Sequence, residues 1–281
     1  MTLKLSDAVR VKQVQMNVLD LKEMTDFYTK IVGLMVQEQT DSAVFLAAQG
    51  ATDPLLILEK ITPQVSNEET TGLYHTAFLL PTRKDLANTL LWLLQNEIEL
   101  GAADHGYSEA LYLNDPEGNG IEIYCDKPRE NWDIRANGDI IGVTEELNAD
   151  DLVQVADRKW IGMAPGSRIG HVHLKVSDLD ATQTFYQKLG FTLTSNFGRR
   201  AKFFAAGSYH HHIGANTWSG SPLPLRQEGQ LGLTAYGFQL PDQNTFEQLQ
   251  MIAEDQGFEY AAANKQLRIA DPNGMTVTFS Y

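Results

Sequence analysis

Cysteine is almost missing from this chain: among 281 residues only Cys125 is one. No internal disulfide can form, which excludes disulfide-stapled secreted scaffolds and suits a reducing compartment, so a cytoplasmic location is expected. Positive charge is scarce as well. Lys and Arg number 22 against 36 Asp and Glu, giving a formal net charge of −14. A surface of that sign repels nucleic acid and anionic membranes, and neither is an expected partner. No apolar run approaches the roughly 18–20 residues of a membrane-spanning helix. The stretch MTLKLSDAVRVKQV lacks a leader's apolar core and small-residue cleavage site, so no secretory leader is expected. No G-x-G-x-x-G or Walker loop opens a helix, and no G-x-S-x-G elbow occurs, which removes nucleotide-phosphate binding and α/β-hydrolase chemistry. With 22 Gly and 10 Pro, collagen-like and low-complexity classes are excluded too.

What is present, and unevenly, is histidine. His75, His105, His171, His173, His210, His211 and His212 all fall between residues 75 and 212.

Four segments share one pattern: an alternating strand, a helix with Leu or Phe at helical spacing, then two or three further strands. They cover about 11–60, 72–127, 169–218 and 231–281. The first and third match most closely, NVLDLKEMTDFYTKIVGL against KVSDLDATQTFYQKLGF. Asp20 and Asp178 stand where a helix N-cap belongs, Phe27-Tyr28 and Phe185-Tyr186 on the apolar face, Gly33 and Gly190 where the helix should stop. The second and fourth share D-P-x-G turns, DPEG at 115–118 and DPNG at 271–274. The expected class is α+β: four βαβββ units forming two cupped, barrel-like domains. The expected division is a first domain of two units at 1–127, a linker with one helix at 128–168, and a second domain of two units at 169–281.

The βαβββ unit with D-L…F-Y…L-G-F and a later D-P-x-G-N-x-I-E resembles the vicinal oxygen chelate superfamily, which includes glyoxalase I, fosfomycin-resistance proteins and extradiol ring-cleaving dioxygenases. The four-unit layout, with DHGYSEALYLNDPEGNGIEIY at 104–124 and YHHHIGANTW at 209–218, resembles the catechol 2,3-dioxygenase-like branch most. The resemblance implies that metal ligands project from the first and last strands of a unit. The first-strand slot, seven residues before the D-L Asp, holds Gln13 and His171; in the other two units it holds His75 and Ala235. The last-strand slot, four residues after D-P-x-G, holds Glu122 and Thr278.

Only His75, His171 and Glu122 among these are good divalent-metal ligands. Two imidazoles and a carboxylate make a facial triad that leaves coordination positions open on Fe(II); Mn(II), Zn(II) or Ni(II) are the other candidates. If the units pair in chain order, the triad is split, and Gln13, His75 and Glu122 form a glyoxalase-like set. If the second unit pairs with the third and the first with the fourth, all three ligands meet in one cup. The crossed pairing accounts for every missing ligand at once and is the expected one. An inward Glu on an apolar strand is costly to bury unpaired; the ordinary alternative for Glu122 is an ion pair with Lys or Arg.

The dioxygenase resemblance also implies acid–base groups. Tyr112, ten residues before Glu122, and His105, in the preceding loop, are candidates. His211 is expected on the last strand of the third unit, level with Glu122 and facing the cup, with His210 and His212 as its alternatives. His173, His210, His212, Asn216 and Trp218 are the substrate-binding candidates. Cys125, three residues past Glu122, is expected to be a buried structural thiol. The implied activity is a metal-dependent extradiol dioxygenase acting on catechol or a related dihydroxy-aromatic with O2. A glyoxalase-like lyase or isomerase and a non-catalytic small-molecule-binding resistance protein are the alternatives. A homo-oligomer is left open.

Overall fold

A computed structural model describes residues 3–65 and 69–281. The first repeat supplies β1 (Arg10–Val18), α1 (Leu21–Phe27), β2 (Met35–Gln39), β3 (Ala43–Ala47) and β4 (Leu56–Lys60). The second supplies β5 (Gly72–Leu79), α2 (Arg83–Gln95), β6 (Gly101–Asp104), β7 (Ser108–Asn114) and β8 (Gly120–Asp126). A connecting segment holds β9 (Asp133–Ile134), β10 (Ile140–Ile141) and α3 (Ala149–Gln154). The third repeat supplies β11 (Arg168–Lys175), α4 (Leu179–Lys188), β12 (Thr192–Asn196), β13 (Ala201–Ala205) and β14 (Ile213–Asn216). The fourth supplies β15 (Gly232–Gln239), α5 (Gln243–Asp255), β16 (Tyr260–Ala263), β17 (Gln266–Ala270) and β18 (Thr276–Ser280). No described helix is long and apolar enough to cross a membrane.

The helices begin where side-chain oxygens take up free backbone N–H groups. Asp20 accepts from Glu23 N and Asp178 from Asp180 N and Ala181 N; Thr82 and Asp242 do the same for α2 and α5. The first of these helices ends in a π-helical turn, Tyr28–Val32, closed by Gly33 at φ +87°. Only glycine fits there: a Cβ on Gly33 would lie 2.5 Å from Gly162 Cα, and Met163 N donates to Gly33 O at 2.7 Å.

The strands form two eight-stranded sheets, in the orders β16-β17-β18-β15-β1-β4-β3-β2 and β12-β13-β14-β11-β5-β8-β7-β6. The first and fourth repeats thus share one sheet and the second and third share the other, which is the crossed arrangement. Two compact units can be distinguished, one of the segments Met1–Asn17, Thr62–Tyr74 and Gly170–Tyr281, the other of Val18–Ile61 and His75–Ile169. In the first unit Leu174, Phe204, Tyr236, Phe238 and Phe279 are fully buried; in the second, Met24, Leu46, Phe78, Leu86 and Tyr124 are.

The D-P-x-G turns are tied to the F-Y tyrosines. Asp115 Oδ1 accepts from Glu117 N and Asn119 N, and its Oδ2 from the Tyr28 hydroxyl at 3.0 Å. Asp271 Oδ1 likewise accepts from Asn273 N and Met275 N, and its Oδ2 from Tyr236, whose hydroxyl is in turn bonded to that of Tyr186. Burial pushes the Asp271 carboxyl up to about 6 from its ordinary 3.8. A raised acid favours the folded state while protonated. Its contribution is therefore complete below about pH 4 and lost as pH rises through about 6. Two pKa units correspond to roughly 3 kcal/mol. Asp271→Asn keeps an acceptor for the two backbone N–H groups and carries no charge. We expect its melting temperature to exceed the parent's at pH 8 and to lose that advantage at pH 5. Parallel melting curves at both pH values would count against this account.

Candidate metal centre

Period-two alternation places three side chains of the second compact unit on one sheet face. In the parallel ladder of β5 and β8, Ala77 stands opposite Glu122, which puts His75 on the same face two residues earlier. Tyr112 stands opposite Glu122 in the antiparallel ladder of β7 and β8. His75 and Glu122 are both buried, and His75 Nε2 lies 2.9 Å from Glu122 Oε2. The buried carboxylate is thus paired with an imidazole. The His75 and Tyr112 rings are 5.7 Å apart.

His105 meets the same group from the loop before β7. Its Nδ1 lies 2.7 Å from Val143 O and its Nε2 2.6 Å from the Tyr112 hydroxyl. A carbonyl can only accept, so Nδ1 carries the proton. Nε2 of the neutral ring therefore accepts, and Tyr112 donates to it. Val143 belongs to the connecting segment, whose backbone also pairs with the loop, Val143 N to His105 O at 3.2 Å. That anchor has no signature in the residues of the connecting segment. Cys125 is buried beside the Asp126 carbonyl, and burial pushes its thiol up to about 12, as suits an inert structural group.

In the first compact unit His171 and His173 lie two residues apart on β11 and are both buried. The His171 ring is 4.1 Å from that of His211, and His211 Nδ1 is 2.8 Å from His210 Nδ1. The histidine run does not lie on the last strand of the third repeat, as expected, but in the turn before it, because β14 begins only at Ile213. The turn is held by its own hydrogen bonds. Gly207 stands at φ +61°, Asp7 Oδ1 accepts from Ser208 N and Ser208 Oγ, and Thr194 Oγ1 donates to His210 O. His212 Nδ1 accepts from Ala206 N at 3.2 Å, so its ring closes the turn. Strand alternation therefore does not govern these three rings. The register also corrects the expected level of His211: His173 stands opposite Gly214 as Ala77 stands opposite Glu122, so Gly214 occupies the Glu122 position of the third repeat.

Asn216 is fully buried, accepts from Trp218 N through Oδ1, and has no partner for Nδ2 among the described residues. Trp218 is half exposed. Its ring lies 5.3 Å from His173 and 5.0 Å from Tyr74, a residue that sequence reasoning missed. Alternation along β5 assigns Tyr74 to the face opposite His75, and nothing in the sequence signals the ring contact with His173, at 5.1 Å.

The ligand atoms of His75, Glu122 and His171 lie within 4.8 Å of one another, and all three residues are buried. Two neutral nitrogens and one carboxylate oxygen at that spacing fit a divalent first-row metal such as Fe(II). The slots of the other sheet do not. Gln13 and Thr278 both stand beside Gly237, where an added Cβ would lie 3.5 Å from Gln13 Cγ and 2.6 Å from Thr278 Oγ1, and Ala235 offers no donor atom in its side chain.

The family model for the glyoxalase/bleomycin resistance protein/dioxygenase superfamily matches residues 10–123 and 168–279. A Catechol-2,3-dioxygenase of Bacillus subtilis (strain 168) is 36% identical over 270 residues, 94% of this chain and 95% of that protein. Biphenyl-2,3-diol 1,2-dioxygenase 3 of Rhodococcus globerulus is 32% identical over 124 residues, 40% of this chain and 63% of its own. Among solved structures, glyoxalase I from Zea mays superposes with a TM-score of 0.58 at 14% identity, over 97% of this chain and 92% of that one.

Proposed function

Because this chain belongs to the glyoxalase/bleomycin resistance protein/dioxygenase superfamily, we propose that it is an extradiol ring-cleaving dioxygenase, opening catechol or a related dihydroxy-aromatic with O2 and using Fe(II) held by His75, Glu122 and His171. The observation that carries this reading is the buried His-Glu-His set. The relative named Catechol-2,3-dioxygenase supports the reaction class. The glyoxalase-like alternative drew on Gln13 joining His75 and Glu122; Gln13 instead stands beside Gly237 and Thr278.

The metal, when bound, supplies open coordination positions for both substrates and the one-electron chemistry that lets triplet O2 react with a closed-shell aromatic. The protein supplies the rest. Glu122 contributes one negative charge to the ligand set and His75 and His171 none, so the set leaves a net positive charge to attract a catecholate. Neutral His105 holds an acceptor nitrogen at Nε2, toward which Tyr112 donates. The pair can take a proton from a substrate hydroxyl through Tyr112 and return it as the ring opens. His211, beside His171, is the second candidate for proton transfer. Both atoms of O2 enter the product, a ring-opened acid bearing an aldehyde or ketone, and no external reductant is consumed.

The test is an aerobic assay of anaerobically prepared, Fe(II)-loaded protein with catechol and alkylcatechols, following the yellow ring-opened product and O2 uptake together. We expect one O2 consumed per product. No yellow product from any of the catechols, with metal bound, would overturn the reading.

A further inference from the structure

We propose that the sheet of the first and fourth repeats carries a second small-molecule site, an oxyanion site for a small carboxylate, built over Gly237 from Gln13, Thr278, Lys12 and Arg268. It depends neither on the metal centre nor on the proposed reaction. Strand register brings the residues together. β1, β15, β18 and β17 are neighbours in that sheet, and Gln13, Gly237, Thr278 and Arg268 stand level across them. Residues level on neighbouring strands share a face. The next row, Val14, Tyr236, Val277 and Ile269, takes the other face, and all four are buried. One face is therefore core, and this row of the other holds three hydrogen-bonding side chains and a glycine.

Three observations on the polar face point to a ligand. Gly237 lies in an interior strand, and its φ is not positive, so the backbone does not demand glycine. Glycine weakens a strand interior and often marks the close approach of a ligand or another backbone. The space above it is framed by side chains: an added Cβ would lie 2.6 Å from Thr278 Oγ1 and 3.5 Å from Gln13 Cγ. Thr278 is only 7% exposed, yet its hydroxyl has no hydrogen-bond partner among the described residues. Buried polar groups ordinarily find a partner, so this hydroxyl is left for an acceptor from outside the chain. Two cations stand close by. Lys12 Nζ donates to Ser280 Oγ at 3.1 Å, two residues along β18 from Thr278, and Arg268 stands exposed opposite Thr278 on β17. Neither forms an ion pair with a described residue, although acidic side chains outnumber basic ones by 36 to 22.

The donor set selects the guest. Gln13 and Thr278 replace imidazole and carboxylate with an amide and a hydroxyl, a poor metal site but a source of neutral hydrogen bonds to an anion. Lys12 and Arg268 supply the charge-assisted ones, and the planar guanidinium fork matches a carboxylate. Strands about 4.8 Å apart, with same-face residues about 6.6 Å apart along each, give the donors room for one carboxylate on a few heavy atoms. The row offers no large apolar side chain, so the rest of the guest is polar, as in a 2-oxo or 2-hydroxy acid.

Calorimetric titration of the full chain with pyruvate, and separately with inorganic phosphate, tests the site at fixed ionic strength. We expect one pyruvate per chain with a Kd of about 1 mM. Thr278→Val and Arg268→Gln should each weaken binding about tenfold, while Thr278→Ser should keep it. Gly237→Ala, which fills the space, should abolish it; thermal unfolding checks that each variant folds, and Arg268→Gln, at an exposed position, carries the test if Gly237→Ala does not fold. Glu122→Gln separates this site from the metal centre, because pyruvate seated on the polar face binds that variant as it binds the parent. Binding lost in Glu122→Gln but intact in Thr278→Val and Arg268→Gln would place pyruvate on the metal and overturn the proposal. Absence of saturable binding to the parent would overturn it as well, and phosphate binding tighter than pyruvate would overturn the assignment to a carboxylate.

Discussion

Glu122→Gln is expected to yield a folded protein that does not retain metal and does not open catechol rings. The substitution preserves the shape of the side chain and one acceptor oxygen, but it removes the negative charge of the ligand set. An isolated pair of imidazoles holds Fe(II) weakly, and we expect affinity to fall more than about a hundredfold, since even losing a group that merely orients a ligand costs about ten- to a hundredfold. Metal content after gel filtration, measured by elemental analysis, checks this directly. Thermal unfolding supplies an independent arm: a metal bound only by the folded state stabilises it by about 2.7 kcal/mol at a hundred times Kd. Added Fe(II) should raise the melting temperature of the parent and leave that of Glu122→Gln unmoved. The competing account makes Glu122 only a hydrogen-bond partner of His75, with which it stands at 2.9 Å. On that account the variant would melt lower yet keep its metal, and such a result would sink the proposed centre.

The parts of this site that could be read from sequence are those governed by strand alternation and repeat spacing. His75, His171 and Glu122 stand at the positions where the family resemblance implies metal ligands on the first and last strands of a unit, and an offset along a strand decides which face a side chain takes. The helix caps at Asp20 and Asp178 and the glycine stops at Gly33 and Gly190 were legible for the same reason: each satisfies a local backbone requirement. The crossed pairing of repeats was legible only through chemistry, as the arrangement that gathers the good ligands in one cup. What failed was the histidine run. Its rings are placed by a turn pinned from outside, through Asp7 at the far N-terminal end of the chain, and no spacing within 205–216 shows that β14 starts as late as Ile213. Tyr74 and Val143 escaped for a related reason. One acts through a ring contact that alternation argues against, the other through a backbone carbonyl, which carries no residue signature.

Tyr112→Phe and His105→Ala are each expected to lower kcat by about a hundredfold with the metal retained, and the double variant to be little worse than the poorer single one. The geometry dictates the non-additivity. Val143 O fixes the proton of His105 on Nδ1, so Nε2 faces Tyr112 as an acceptor, and the two side chains form one serial path at 2.7 and 2.6 Å. A serial path is broken as fully by one removal as by two. General acid–base groups contribute about 10²–10⁴ in rate, and residues acting as a unit give losses that do not multiply. Neither residue belongs to the His-Glu-His set, so elemental analysis should find both single variants as fully loaded as the parent. Independent roles would instead give a double variant near 10⁴-fold down, the product of two hundredfold losses. If Tyr112→Phe retained full kcat while His105→Ala did not, the proton would pass through His105 without the phenol, and the Tyr112 hydroxyl would serve only to hold the loop of His105 in place.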